Sequence, residues 1–201
     1  MRTLDVMGSV NRAAIRLVER FPEGSIWESR YITFPAAIVI STLAIANAEC
    51  SWPIRIGAFV GGLFSWTFLE YVLHRWVLHY KGRSEFTRAL MKRLHWTHHE
   101  VPTDKSQVCI PFALSLVLWF SVYRAVLVVG LEPWTALLVS CGVAFGMSVY
   151  DITHYSTHYM KASNWYLKLL TRHHMLHHGH DETKRFGVTS PLWDYVFGTI
   201  R

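Results

Sequence analysis

Charge is scarce in this chain: Asp, Glu, Lys and Arg make up 17% of its 201 residues, while 51% are hydrophobic. An ordinary soluble domain of this length carries about a quarter charged residues, so the balance argues against one and points to a membrane protein. Cysteine is scarce too. Cys50, Cys109 and Cys141 are odd in number, far apart and without a CxxC pair, which leaves neither a disulfide framework nor a thiolate metal site and makes them apolar packing residues. The first 30 residues lack a compact apolar run ending in a cleavage site, so they do not read as a secretory signal peptide. There Arg2, Arg12, Arg16, Arg20 and Arg30 mix with Leu, Val and Ile, which suggests an amphipathic helix on a membrane surface or else a flexible tail. Histidine is missing from the first 73 residues altogether.

Four apolar stretches approach or reach the roughly 20 helical residues that a bilayer core requires: Ile32 to Ala48, Ile54 to Leu73, Val108 to Gly130, and Pro133 to Tyr150. Short connections, 49–53 and 131–132, join them in pairs, so they read as two helical hairpins. A hairpin enters and leaves by one face. The N-terminal segment, the stretch from His74 to Gln107 and everything after Tyr150 therefore share one side. Lys81, Arg83, Arg88, Lys92, Arg93, Lys161, Lys168, Arg172, Lys184 and Arg185 fall there, against little beyond Arg55 opposite. The positive-inside rule makes that side cytoplasmic. Glu70 and Arg124, the ionisable residues nearest a span interior, sit close enough to an end to reach for the interface. A soluble helical bundle is the rival reading, but it would have to bury helices that are apolar all round.

All twelve histidines follow residue 73, and ten of them form four clusters just outside the spans on that one side. They are His74 and His79; His95, His98 and His99; His154 and His158; and His174, His177 and His178. If the spans continue as helices, positions three or four apart share a face, which makes His154 and His158 a ligand pair. In each HxxHH the first and second histidines are expected on one face, with the third turned about 100° from the second. Such a cluster can serve two ions or line two walls of one cavity. His74 and His79, five apart, fit an ideal helix poorly and suggest a local distortion or a site that curves around them. Ten imidazoles are too many for one ion, so two metal ions are expected. His173 and His180 fall outside the HxxHH spacing and read as supporting or structural residues. Ligating imidazoles usually donate their other N–H to a carboxylate or carbonyl. Glu70, Glu100, Asp151, Asp181 and Asp194 lie within or beside the clusters, and Asp151 and Asp194 are the leading candidates.

The motif order HxxxxH, HxxHH, HxxxH, HxxHH on four apolar spans resembles the fatty acid hydroxylase and sterol desaturase superfamily over about residues 60 to 201. The segments from Tyr150 to Tyr155 and from Phe186 to Thr199 look most like its fatty acid 2-hydroxylase branch. The resemblance implies a non-haem centre of two iron ions, open to zinc during preparation, with O₂ as co-substrate. It implies ten ligands at His74, His79, His95, His98, His99, His154, His158, His174, His177 and His178. The eukaryotic fatty acid 2-hydroxylases carry a fused cytochrome b5 domain, whereas this sequence has no His-Pro-Gly-Gly haem element, so a separate cytochrome b5-like or ferredoxin-type electron donor is expected.

Taken together, these readings predict an all-α integral membrane protein. It has four transmembrane helices in two hairpins and a cytoplasmic helical cap carrying a histidine-rich di-metal site. Residues 1–201 form one membrane-embedded domain, with 1–30 an N-terminal segment and 31–201 the catalytic part. The expected reaction is O₂-dependent hydroxylation of a C–H bond in a fatty-acyl or ceramide chain. Alternatives are a sterol or carotenoid desaturase or hydroxylase of the same superfamily and, remotely, a metal-binding or transport protein. Transport calls for polar ligands near the midplane, where the spans have almost none. The basic residues follow from topology, so no nucleic-acid partner is expected.

Overall fold

The computed structural model describes the backbone of residues 2–201 and the side chains of residues 11–201. All regular structure among the described residues is helical. Helix α1 (Arg2–Glu19) packs on α5 (Glu85–Met91); whether its first turns present an amphipathic face lies outside the described residues. The first span runs over Ile26–Asn47. It begins before the expected Ile32 because Ser25 caps α2 (Ile26–Glu28), accepting from the Trp27 N–H at 3.2 Å, and a π-helical turn (Ser29–Thr33) carries the chain into α3 (Phe34–Asn47). Arg55 donates to the carbonyls of Ile45 and Ala46, acceptors that the end of α3 would leave orphaned, and to that of Cys50 in the connection that follows. The second span, Trp52–Leu78, is α4 (Trp52–Val72) followed by a π-helical segment (Leu73–Leu78).

A third π-helical stretch (Lys92–Trp96) leads into α6 (Thr97–Glu100). The third span, Lys105–Val128, contains α7 (Phe112–Val128). The fourth is α8 (Pro133–Tyr159), opened by Glu132, whose carboxylate accepts from the Trp134 and Thr135 N–H groups. Helix α8 runs on through His154 and His158, well past the expected end at Tyr150. Helices α9 (Trp165–Gly179) and α10 (Leu192–Val196) complete the chain. The chain is an integral membrane protein of four spans in two hairpins, and the segments that follow the second and fourth spans lie at one end of the bundle.

Helix α8 is the axis of the bundle, packing against α3, α4 and α7. Its seam with α4 is set by glycine. A Cβ on Gly62 would lie 2.0 Å from the Val139 carbonyl oxygen, and one on Gly142 would lie 2.1 Å from that of Phe59. Lipid tails are as apolar as the helices they surround, so small residues that let backbones approach are what hold such helices together. Buried carboxylates add polar ties. Asp151 on α8 accepts from Ser29 Oγ at 2.7 Å and from the Ile110 N–H at 2.9 Å, joining the first, third and fourth spans. Glu70 does not reach for the interface as its position near a span end suggested. It turns inward and accepts from the Val188 and Thr189 N–H groups and the Thr189 hydroxyl, fastening the C-terminal loop to α4.

Gly142→Leu should therefore destabilise the bundle by about 1–3 kcal/mol through overpacking, whereas Gly57→Leu, with nothing within 4 Å of the added carbon, should be neutral. Thermal unfolding in detergent measures both; equal melting temperatures would remove the close α4–α8 approach as a constraint.

Candidate metal centre

The histidines at the end of the bundle gather into two sets of five. One is His74, His79, His95, His99 and His177; the other is His98, His154, His158, His174 and His178. Each takes a pair from the end of a span, a pair from one HxxHH and the middle histidine of the other HxxHH. Within each set one nitrogen per ring lies within 4.8 Å of all the others.

Local helix geometry makes the pairs. His74 and His79 share a face because the segment between them is π-helical: the His79 N–H donates to the His74 carbonyl at 3.2 Å, five residues back. The distortion suggested by their spacing is real. His154 with His158 and His174 with His178 are ordinary four-residue neighbours on α8 and α9. The HxxHH expectation needs correction, since the first and third histidines pair and the second joins the opposite set. At 100° per residue a step of four leaves side chains about 40° apart, whereas a step of three leaves them about 60° apart in the other direction. His98 and His177 therefore turn across the seam.

Backbone carbonyls fix several rings. The Nδ1 atoms of His74, His154 and His177 donate to the carbonyls of Phe186 (2.5 Å), Val108 (2.9 Å) and Lys184 (2.6 Å). Each of these Nε2 atoms then carries a lone pair. In the first set, His74 Nε2 stands 3.0 Å from His95 Nε2 and 3.3 Å from His79 Nε2, which is 3.1 Å from His177 Nε2. In the second, His174 Nε2 stands 3.0, 2.8 and 3.1 Å from Nε2 of His154, His158 and His178. Nitrogens bound at about 2.1 Å to one ion sit about 3.0 Å apart at right angles. Both nitrogens of His98 are buried without a hydrogen-bond partner, a costly state that a cation would relieve. Lone pairs converging at ligand spacing, with an orphaned imidazole among them, fit metal ions.

Burial, reinforced by neighbouring imidazoles, pushes His79 and His177 down to about 4 and His98, His99 and His178 down to about 2. His95 and His174 are also held well below the ordinary histidine range, first by burial. All seven are neutral at pH 7, the state in which imidazole coordinates metal. The two sets share a wall, with His99 of one stacked on His178 of the other at 4.2 Å between ring centroids.

Asp151 and Asp194, expected to accept directly from ligating rings, act one link further away. Asp194 accepts from the Phe186 and Gly187 N–H groups, from Thr199 Oγ1 and from His173 Nε2; the Phe186 carbonyl in turn holds His74. Asp151 fixes the Ile110 amide, and nearby Val108 holds His154. His173 is thus tied to Asp194, and His180 is exposed at the end of α9. Glu100 pairs with exposed Lys92, and Asp181 with Lys184. Sequence reasoning missed Glu182, whose carboxylate is 3.8 Å from His99 Nδ1; its place four residues beyond His178 was the available signal. It also missed the three carbonyl acceptors, since every residue has a carbonyl.

An apolar cavity of about 170 Å³ opens from the centre between α4 and α7. His74, His95 and His154 bound one end, and Trp66, Leu114 and Leu118 line it farther along the spans. A more polar hollow of about 500 Å³ meets the first set on its other side, at His79 and His99, beside Arg75, Lys81 and Glu182.

Fold and site together define a membrane-embedded helical protein built around two histidine sets that could hold metal ions. The family model for fatty acid hydroxylase matches residues 59–199, and the chain belongs to that family. It is similar to a dihydroceramide fatty acyl 2-hydroxylase of Arabidopsis thaliana, 33% identical over 90% of this chain and 79% of that one. The human fatty acid 2-hydroxylase is 33% identical over 72% of this chain and 39% of its own length. The structure of full-length scs7p, in which only the hydroxylase domain is visible, superposes with a TM-score of 0.80 at 30% identity, covering 89% of this chain and 67% of that one. Membership makes this an oxidoreductase of the hydroxylase kind that works on lipid in a membrane.

The two carboxylates should be separable. Asp194→Asn should weaken metal binding at the first set, and Asp151→Asn at the second, each by about 10–100-fold. Metal content against chelator concentration, with each set's remaining ion counted, tests this; equal loss from both sets in both variants would refute the separate linkages.

Proposed function

We propose that this chain hydroxylates an unactivated C–H bond in the fatty-acyl chain of a ceramide-type lipid, using O₂ and two iron ions held by the ten clustered histidines. The observation that carries this reading is the apolar cavity ending on nitrogen-bearing side chains of both sets, His74 and His95 from one and His154 from the other. A hydrocarbon chain lying in it would meet the metal centre without bringing water along. The relatives named as dihydroceramide fatty acyl 2-hydroxylase and as ceramide very long chain fatty acid hydroxylase support the substrate class.

The overall reaction adds one oxygen atom of O₂ to carbon and releases the other as water, consuming two electrons and two protons. The iron pair would supply O₂ activation. This chain's residues do the rest. The ten imidazoles bind, with His74, His154 and His177 aimed by the carbonyls of Phe186, Val108 and Lys184. Asp194 and Asp151 hold the loops carrying the Phe186 and Val108 carbonyls. Trp66, Leu114 and Leu118 exclude water along the chain path. The polar hollow at His79 and His99 leaves a separate approach for protons and for an electron donor, a cytochrome b5-like or ferredoxin-type protein. The cationic face of the bundle lies toward the cytoplasm on the positive-inside rule, with the lipid head group beside it. Zinc competes well for imidazole sites and would replace iron in some preparations.

Expression with a compatible donor, followed by lipid mass spectrometry, should reveal a species one oxygen heavier, labelled by ¹⁸O₂ and absent from a His174→Ala, His178→Ala control. A species two hydrogens lighter would instead make the chain a desaturase, and an unlabelled product would exclude O₂ as the oxygen source. Acid should strip the metal late. Because burial lowers these pKa values, the neutral ligand form persists as pH falls below the free histidine value, and protons compete only below about 4, where His79 and His177 titrate. Metal content after equilibration from pH 7 to 3 checks this, and a loss centred near 6.5 would contradict it.

A further inference from the structure

Helices α4 and α7 each pack on α8 and leave a cleft between them whose inner end is the cavity at the histidines. A second hollow of about 390 Å³ lies in the same cleft, farther from the metal centre. Phe64 and Phe68 of α4, Ala125 and Val126 of α7, Val143 of α8, and Trp193 form its walls. Leu69, Leu118 and Val122 pack on the core around Trp66; Leu118 lines the inner cavity, and Leu69 and Val122 line the outer hollow.

Trp193 reaches into the bundle from α10. Its ring packs on Phe68 at 4.7 Å between centroids, and its indole N–H donates to Thr67 Oγ1 at 2.9 Å. The wall it makes is apolar and already satisfied, so it offers nothing to a polar head group. At 1.5 Å per residue, Phe64 lies about 15 Å along the helix from His74. That is about half of a 30 Å bilayer core, the depth of one leaflet.

We infer that the two hollows form one track for the hydrocarbon chain of a single lipid, and that Ala125, Val126 and Trp193 at its far end set a preference for long chains. The inference rests on the hydroxylase reading for the identity of the substrate. The apolar lining, the position of both hollows between α4 and α7 and the one-leaflet length all favour an acyl chain as the occupant. Hydrocarbon gains little by leaving lipid for an equally apolar groove, so the track discriminates by shape: a chain that fits lies straight, and an obstructed one must bend out.

The test uses the full chain in membranes with its electron donor and two ceramides, one with an acyl chain short enough to end in the inner cavity and one long enough to cross a leaflet. Ala125→Trp and Val126→Trp should lower kcat/KM for the long-chain ceramide about tenfold or more and leave the short-chain value unchanged. Equal loss for both chains, or no loss for either, would overturn the proposal. A long-chain ceramide with a diazirine at its chain end gives a readout that needs no turnover. Photolysis should label residues 64–69, 122–126 or Trp193, whereas labelling confined to other helices would overturn the track. Labelling in the cleft without product from either ceramide would count against the hydroxylase reading while leaving the track in place.

Discussion

Ten imidazoles, six buried and four half-buried, must be held with their nitrogens aimed at one another, and most of the architecture at this end of the bundle serves that requirement. Lone pairs 3 Å apart repel, and a buried ring nitrogen without a partner is costly. The arrangement is sustained from outside the sets, by backbone carbonyls that take the Nδ1 protons of His74, His154 and His177. Those carbonyls lie in segments that α-helices cannot hold by themselves, so buried carboxylates fix them: Asp194 the turn at Phe186, Glu70 the strip that follows, and Asp151 the entry to the third span. A metal pair would replace the repulsion with attraction; the surrounding hydrogen bonds determine where each ring stands.

Interleaving of the two sets follows from helix periodicity. Each HxxHH gives two nitrogens to one set and one to the other, because steps of three and four fall on opposite sides of a line along the helix. His98 and His177 are thus built into both halves, and His99 stacks on His178 across the boundary. The π-helical segments at Leu73–Leu78 and Lys92–Trp96 adjust the remaining register. The sets cannot be moved independently.

The membrane bundle supplies the other half of the site. Close approach of α4 and α8 through Gly62 and Gly142 fixes the second and fourth spans as one unit, so the π-helical end of one and the His154–His158 turn of the other arrive at the same level. Helix α7 also packs on α8 and leaves the apolar cleft between itself and α4. The apolar cavity meets the histidines at His74, His95 and His154, while the polar hollow lies beside His79 and His99. Separation of a dry path from a wet one is the property a hydroxylase acting on lipid needs most.

Much of this was legible in the sequence, and the limits were physical. Apolar runs, their pairing into hairpins and the histidine clusters at span ends are local properties, so they gave the four spans, the shared end and the ten clustered residues. The five-residue step from His74 to His79 even signalled a distortion, because no ideal helix puts both on one face. Which histidine joins which set, the inward turn of Glu70, the indirect reach of Asp151 and Asp194, and the nearness of Glu182 to His99 depended on contacts between segments distant in the chain. Periodicity gives the direction of a side chain relative to its own helix axis. Only the packing of one axis on another decides what that side chain meets.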